Sequence, residues 1–183
     1  MIRQVLVLVT VLLLAGCGQE ASKSTTEQYF VTSNGPVEFL FPEGWHKNQE
    51  ENPYDLQCFS KHERMNTGVF LFVQEDLAEN PKPRDFLQLQ IDDLKSKRKN
   101  FKIKEEEQIV QVVGKKLTSI VFSGEKGSSR YYYRFALVKF DENPEILAVV
   151  LQVAIPSYWT KHKPILEEIT KSARVRSEKV KER

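Results

Sequence analysis

The chain has 183 residues, with 27 Lys and Arg against 25 Asp and Glu. This near balance argues against nucleic-acid binding, which usually shows as an excess of basic residues gathered on one face. The length suits one domain with its own hydrophobic core and is too short for two comfortable domains.

The first element is a short apolar run near the N terminus. Residues 5–14 are apolar except Thr10, and Arg3 is the only charged side chain ahead of them. A run of about ten residues suits the core of a signal peptide, whereas a bilayer-spanning helix needs about twenty. The run therefore predicts an exported protein rather than a transmembrane helix.

Small residues and a cysteine follow this run directly. The stretch Leu14-Ala15-Gly16-Cys17 resembles the lipobox of bacterial lipoprotein precursors. The resemblance implies a signal peptide over residues 1–16, cleavage between Gly16 and Cys17, and lipid on the Cys17 thiol. The alternative is an ordinary cleaved signal with a chance cysteine.

The same resemblance implies where the protein is found. Gly18 follows Cys17 at the position where an aspartate often retains lipoproteins in the inner membrane of enteric bacteria. In a Gram-negative cell we therefore expect the outer membrane, with the domain facing the periplasm. In a Gram-positive cell we expect the outer face of the cell membrane.

A polar tether precedes the folded domain. The lipidated cysteine and this flexible tether cover residues 17–28, which are small and polar after Cys17. Fully extended, the tether spans about 35 Å. The domain is predicted over residues 29–176, and a basic tail follows at 177–183.

Strand patterns open the domain, and a helix follows them. Asn34-Gly35 predicts a tight turn between the first two strands, and an amphipathic stripe of Leu87, Ile91 and Leu94 predicts the helix. The strands are predicted at 29–31, 37–41, 55–60 and 69–74, and the helix at 84–97.

Four longer strands and a closing helix complete the pattern. The apolar residues of 147–151 are continuous, which predicts a central strand covered on both faces. Ser157 suits the N-cap of the closing helix, which reaches about Ala173, and Pro164 either kinks that helix or marks a later start near Lys163. The strands are predicted at 102–111, 116–123, 130–140 and 146–155.

Three short motifs resemble the Mog1/PsbP-like fold. They are Phe39-Leu40-Phe41-Pro42-Glu43-Gly44-Trp45 after the first hairpin, Pro156-Ser157-Tyr158-Trp159 at the start of the last helix, and Ile169-Thr170-Lys171-Ser172 near its end. The resemblance implies an α+β domain, an antiparallel β-sheet flanked by helices in an α/β/α sandwich. It also implies binding to other macromolecules rather than catalysis, as in photosystem II accessory proteins, DcrB-type bacterial lipoproteins and adaptors of secretion effectors.

No catalytic or metal-binding motif occurs in the sequence. The histidines, His46, His62 and His162, lie on three separate predicted elements, without the spacing of a zinc or calcium site. With Cys17 lipidated, Cys58 is the remaining thiol, and its apolar neighbours favour a buried, inert side chain over a reactive one. We expect no catalytic residue, no metal and no cofactor.

The best candidate for recognition is the segment Arg130-Tyr131-Tyr132-Tyr133-Arg134. Strand alternation places Arg130, Tyr132 and Arg134 on one face, a composition that is enriched at protein interfaces. The alternative is that a helix or the arginine stems cover this face.

These observations predict a membrane-anchored envelope lipoprotein that is not an enzyme. We expect it to bind an envelope protein or another envelope component as an adaptor or assembly factor, with no nucleic-acid partner. The alternatives are a carrier of lipid or a small molecule in a groove between sheet and helices, or an enzyme. An enzyme would need a cleft of convergent polar groups that the sequence does not indicate.

Overall fold

The computed structural model describes residues 27–60, 64–73 and 83–176. The predicted signal peptide, Cys17, nearly all of the tether, His62 and the basic tail lie outside the described residues. In chain order the elements are β1 (Gln28–Val31), β2 (Val37–Phe41), β3 (His46–Lys47), β4 (Leu56–Phe59), β5 (Met65–Val73), α1 (Pro83–Ser96), β6 (Lys99–Val112), β7 (Lys115–Lys126), β8 (Ser129–Phe140), β9 (Ile146–Ala154), α2 (Pro156–Lys171) and β10 (Arg174–Val175).

Seven antiparallel strands form the main sheet, in the order β3-β4-β5-β9-β8-β7-β6. β9 is the middle strand, paired with β5 on one side and β8 on the other. Its adjacent residues Val149 and Val150 point to opposite faces and are 1% and 0% exposed. The prediction of a central strand that is covered on both faces is confirmed.

The first hairpin forms a second, smaller sheet with the end of the domain. β2 pairs with β1 on one edge and with β10 on the other. Val37, Phe39 and Phe41 of β2 are fully buried, and the Trp45 ring packs against Phe41 with 5.3 Å between centroids. The Phe-Pro-Glu-Gly-Trp motif thus turns the chain and covers the core.

The two helices lie on opposite faces of the main sheet, which separates two apolar clusters. One cluster joins α2, the small sheet and one face of the main sheet, with Trp159, Leu166 and Ile169 from the helix. The other joins the opposite face to α1, which contributes the predicted stripe of Leu87, Ile91 and Leu94. This arrangement confirms the predicted α+β fold with an antiparallel sheet flanked by helices.

The start of the closing helix differs from the prediction. Ile155, in extended conformation, is the N-cap, and Pro156 begins α2. Proline suits the first helical position because its missing N–H would have no partner there, so the predicted Ser157 cap is wrong. Pro164 lies inside the continuous helix, which excludes a start near Lys163.

Candidate functional site

The predicted recognition residues share one face of β8, but α2 covers part of that face. Arg134 is only 5% exposed, and the edge of the Tyr132 ring packs against Trp159 with 5.6 Å between centroids. Arg130 remains exposed and pairs with Glu125 at 2.7 Å. The three residues therefore do not form a continuous exposed surface, because alternation fixes which residues share a face but not which face the helix covers.

Arg134 is the centre of a buried polar cluster beneath α2. Its Nη1 donates to Gln152 Oε1 at 2.9 Å and to Thr170 Oγ1 at 2.8 Å. Gln152 Nε2 in turn donates to the Leu166 carbonyl at 2.7 Å. Burial lowers the pKa of Arg134, and the charges of Glu167 and Glu105 oppose this effect; an arginine side chain stays charged in proteins. The cluster fixes α2 on the sheet, and Gln152 and Thr170 within it are fully buried.

The opposite face of the same strand lines an open groove beside α1. The groove has a volume of about 390 Å³. We call it the tyrosine groove, defined by the three tyrosines and three cations that line it: Tyr54, Tyr131, Tyr133, Lys97, Arg98 and Lys126. Tyrosine and arginine are among the residue types enriched where proteins bind one another.

Close packing holds Tyr54 at one end of the tyrosine groove. Its ring lies directly over Gly68, where a Cβ atom would overlap the ring carbons. The ring also packs against Phe70, with 4.6 Å between centroids. Glycine at position 68 is therefore required by this close approach, and the tyrosine is held in place before any partner binds.

Arg98 is held at the other end by two hydrogen bonds. Its Nε donates to the Tyr133 hydroxyl at 2.7 Å, and its Nη1 donates to the Lys97 carbonyl at 3.0 Å. The guanidinium carbon also lies 5.7 Å from the centroid of the Tyr133 ring. A guanidinium fixed in this way retains further N–H groups that can donate to an acceptor in the groove.

Two tyrosine hydroxyls of the groove, those of Tyr54 and Tyr133, stay protonated at neutral pH. Burial raises the pKa of Tyr54. Burial also raises the pKa of Tyr133, and the Arg98 hydrogen bond opposes this effect. Both hydroxyls are therefore hydrogen-bonding groups rather than bases at neutral pH.

A second, more apolar groove lies between α2 and β2. Its volume is about 510 Å³. We call it the α2 groove, defined by the apolar residues Leu40, Pro42, Pro164, Ile165 and Ile169. Its rim carries Glu27, the first described residue, so the groove lies where the chain enters the domain.

Cys58 and the two described histidines pack against apolar or aromatic neighbours. Cys58 is fully buried, and burial raises its pKa to about 12, so it is a neutral thiol. The rings of His46 and His162 pack against Phe59 and Tyr158. Within the described ranges no group of three or more His, Cys, Asp or Glu side chains is placed to hold a metal ion.

Known structures share this architecture over most of the chain. The solution structure of cyanobacterial PsbP (CyanoP) from Synechocystis has a TM-score of 0.61 and 14% identity, covering 88% of this chain and 98% of that one. The chain has the PsbP/Mog1-like fold. LpqN of Mycobacterium tuberculosis, involved in cell envelope biogenesis, has a TM-score of 0.57 and 11% identity, covering 84% of this chain and 92% of that one. The Ran-binding protein Mog1p of Saccharomyces cerevisiae has a TM-score of 0.54 and 12% identity, covering 83% of this chain and 96% of that one.

Sequence comparison adds nothing to this structural likeness. No protein-family model and no curated protein matches the chain. In the part of the chain that the structure describes, no helix is both long and apolar enough to cross a membrane.

Sequence reasoning missed the tyrosine groove, although it identified the strand that lines it. Tyr131 and Tyr133 lie on the face of β8 opposite to the predicted recognition residues, and Tyr54 directly precedes the strand predicted at 55–60. Two features of the sequence pointed to the groove: the tyrosines at alternate positions of one strand, and a predicted amphipathic helix that is short. A single 14-residue helix cannot cover one face of a seven-stranded sheet, so part of that face stays open.

Proposed function

We propose that this protein is a lipid-anchored accessory protein of the bacterial envelope, which is not an enzyme and which binds a protein partner in the tyrosine groove. The groove is the observation that carries this proposal, because it combines tyrosines held by packing with a fixed arginine. Such preorganised aromatic and arginine side chains are typical of the residues that dominate binding energy. The fold that is shared with LpqN, a protein involved in cell envelope biogenesis, supports an envelope role.

The anchor strengthens this proposal on physical grounds. A lipid on Cys17 would confine the domain to one membrane and raise its effective concentration near any membrane partner. A groove of moderate size is then sufficient, even with a weak intrinsic affinity. The tether allows the domain to reach a partner about 35 Å from the membrane surface.

Site-specific photocrosslinking in cells tests the groove. A photoreactive phenylalanine analogue replaces Tyr131, which lines the groove, or Tyr29, a control tyrosine on the small sheet that is 40% exposed. We expect one discrete adduct from position 131 and none of that size from position 29. Adducts of the same pattern from both positions, or none from position 131, would contradict partner binding in this groove.

The α2 groove supports a second function, that of a lipid carrier. Its lining is apolar, its volume is about 510 Å³, and it lies where the chain enters the domain. Native mass spectrometry of protein purified from membranes tests this function. A bound lipid that is lost when Ile165→Trp fills the groove would favour the carrier, and unliganded protein would count against it.

A further inference from the structure

The hairpin between β6 and β7 exposes aliphatic side chains at its tip. Val113 is 99% exposed, Ile109 is 60% exposed and Val110 is 43% exposed. Single exposed apolar residues are ordinary on protein surfaces, but a cluster of them marks an interaction site. The three residues lie within one five-residue stretch, in which alternation puts Val110 on the face opposite to Ile109.

The tip is open on one side and touches the turn after β8 on another. Gly114 turns the chain with φ of +73°, and no atom beyond its chain neighbours lies within 4 Å of the position of a Cβ there, whereas its carbonyl accepts from the Asp141 amide at 2.9 Å. On the inward side the hairpin is well supported, since Leu117 is 3% exposed and the Lys115 ammonium donates to the Ala173 carbonyl. The tip is therefore a rigid protrusion that presents its aliphatic residues outward.

Two lysines adjoin the aliphatic residues. Lys116 and Lys139 are cross-strand partners of β7 and β8, and both are exposed. Ile109 shares their face, because Gln111 pairs with Lys116 and alternation puts Ile109 beside Gln111. Like charges directly opposite one another are destabilising, so an anionic group bound between the two lysines would relieve their repulsion.

Pairing with another strand does not explain this surface. β6 is an edge strand, but its register against β7 shifts at three places, and it carries Glu105, Glu106 and Glu107 in its middle. Bulges and charges of this kind prevent edge-to-edge pairing. A partner for the tip must accept aliphatic side chains and bind lysine ammonium groups. It does not bind by adding a β-strand to the sheet.

We propose that the hairpin tip docks on an anionic lipid bilayer, with Val113 and Ile109 entering the interface and Lys116 and Lys139 binding headgroup phosphates. Basic and aliphatic side chains on one face are typical of surfaces that bind at the headgroup boundary. The inference rests on the membrane anchoring in the proposed function. A tether of about 35 Å is about as long as a domain of this size is wide. The tether therefore does not fix the orientation of the domain relative to the membrane, and docking of the hairpin tip fixes it.

A fluorescent probe at the tip tests the docking. A hexahistidine tag replaces Cys17 and holds the mature chain on vesicles of phosphatidylcholine, phosphatidylglycerol and a nickel-chelating lipid. Val113→Cys then carries the one reactive thiol, since Cys58 is fully buried. Its label is compared with one at Ser128→Cys, in the turn at the opposite end of β7.

We expect the label at position 113 to shift to shorter emission wavelength, to be quenched by brominated lipid and to be shielded from acrylamide. The label at position 128 remains as accessible as in solution. Ile109→Asp lowers the docked population about tenfold, because roughly two buried methylene groups account for that factor. Lys116→Glu, or vesicles without phosphatidylglycerol, should lower it as well.

Two outcomes would overturn the proposal. One is a label at position 113 that stays fully accessible to acrylamide on vesicles. The other is shielding that appears without vesicles and rises with protein concentration, which would assign the tip to a second copy of the chain. The nickel-chelating lipid replaces the natural anchor, so the result of this assay does not depend on whether the protein is lipidated in cells. Failure of the docking proposal can therefore be distinguished from failure of the anchoring proposal.

Discussion

At the scale of single residues, burial decides what the lone thiol of the domain can do. Cys58 belongs to β4, between the apolar residues of the larger core cluster. Desolvation is the larger influence on its pKa, and the nearby charge of Lys47 opposes it only in part. The thiolate is therefore disfavoured in the folded protein, which makes Cys58 a packing residue.

The Cys58 thiol gives the stability of the protein a dependence on alkaline pH. Its pKa is about 12 when folded and near 9.0 in the unfolded chain. The stabilisation is complete below pH 9.0 and is lost as the pH rises toward 12, by about 1.4 kcal/mol per pH unit. In urea unfolding between pH 8 and 11, Cys58→Ala should lack this component of the slope. Equal slopes in both proteins would contradict the assignment.

The Arg134 cluster makes a second prediction at this scale, with a matched control in the same helix. Thr170 and Thr160 both donate to the carbonyl four residues earlier, but only Thr170 also accepts from Arg134. Thr170→Val should lower the free energy of unfolding by about 1.5–3 kcal/mol, the range for hydrogen bonds to charged groups. Thr160→Val should change it by less than about 0.5 kcal/mol. If chemical denaturation shows a similar loss of unfolding free energy in both variants, the hydrogen bond from Arg134 to Thr170 does not stabilise the fold as predicted.

At the scale of elements, the two helices were predictable in existence and nearly in extent. α1 covers Pro83–Ser96, against a prediction of 84–97, because its apolar stripe repeats with the helical period. The two-residue strands β3 and β10 were not predicted. A segment of two residues is too short to show the alternation of a strand. β3 is a strand because it pairs with β4, and β10 is a strand because it pairs with β2.

The last helix also shows what the fold motif contributes. In Ile169-Thr170-Lys171-Ser172, Ile169 is buried in the core and Thr170 binds Arg134. The Ser172 hydroxyl donates to the Ile169 carbonyl at 2.7 Å and accepts from the Leu40 amide at 2.8 Å. The motif joins α2 to both sheets, so it is a packing motif.

Docking of α2 depends on its large aromatic residue. Trp159 is 4% exposed and belongs to the larger core cluster. Trp159→Ala should lower the free energy of unfolding by about 3–5 kcal/mol, because it removes a large buried side chain and leaves a cavity. Denaturant unfolding followed by circular dichroism measures the loss. A change below about 1 kcal/mol would mean that the helix is not held on the sheet by this residue.

At the scale of the whole molecule, the layers decide which surfaces remain open. α2 and the small sheet cover one face of the main sheet, so Arg134 is buried and Tyr132 is half-buried. α1 covers the other face only in part, and the tyrosine groove remains beside it. The position of a binding surface in this fold is thus set by the size of each covering layer.

The proposed membrane anchoring also concerns the whole molecule. We predict that Cys17→Ala releases the protein from washed membranes or leaves an unprocessed precursor, because the proposed lipid would be attached through this thiol. Cell fractionation with immunoblotting measures both the location and the processed size. Processed protein that stays on the membrane without Cys17 would contradict lipid anchoring.

The sequence by itself determined the local features of this protein. Strand and helix periods, the central position of β9 and the buried state of Cys58 follow from apolar patterning, which each segment carries alone. The lipobox resemblance likewise depends on a few adjacent residues. Tertiary structure alone decided that Arg134 is covered while Tyr131 lines a groove. Alternation gives a strand two faces, and only the packing of distant helices selects which of them meets solvent.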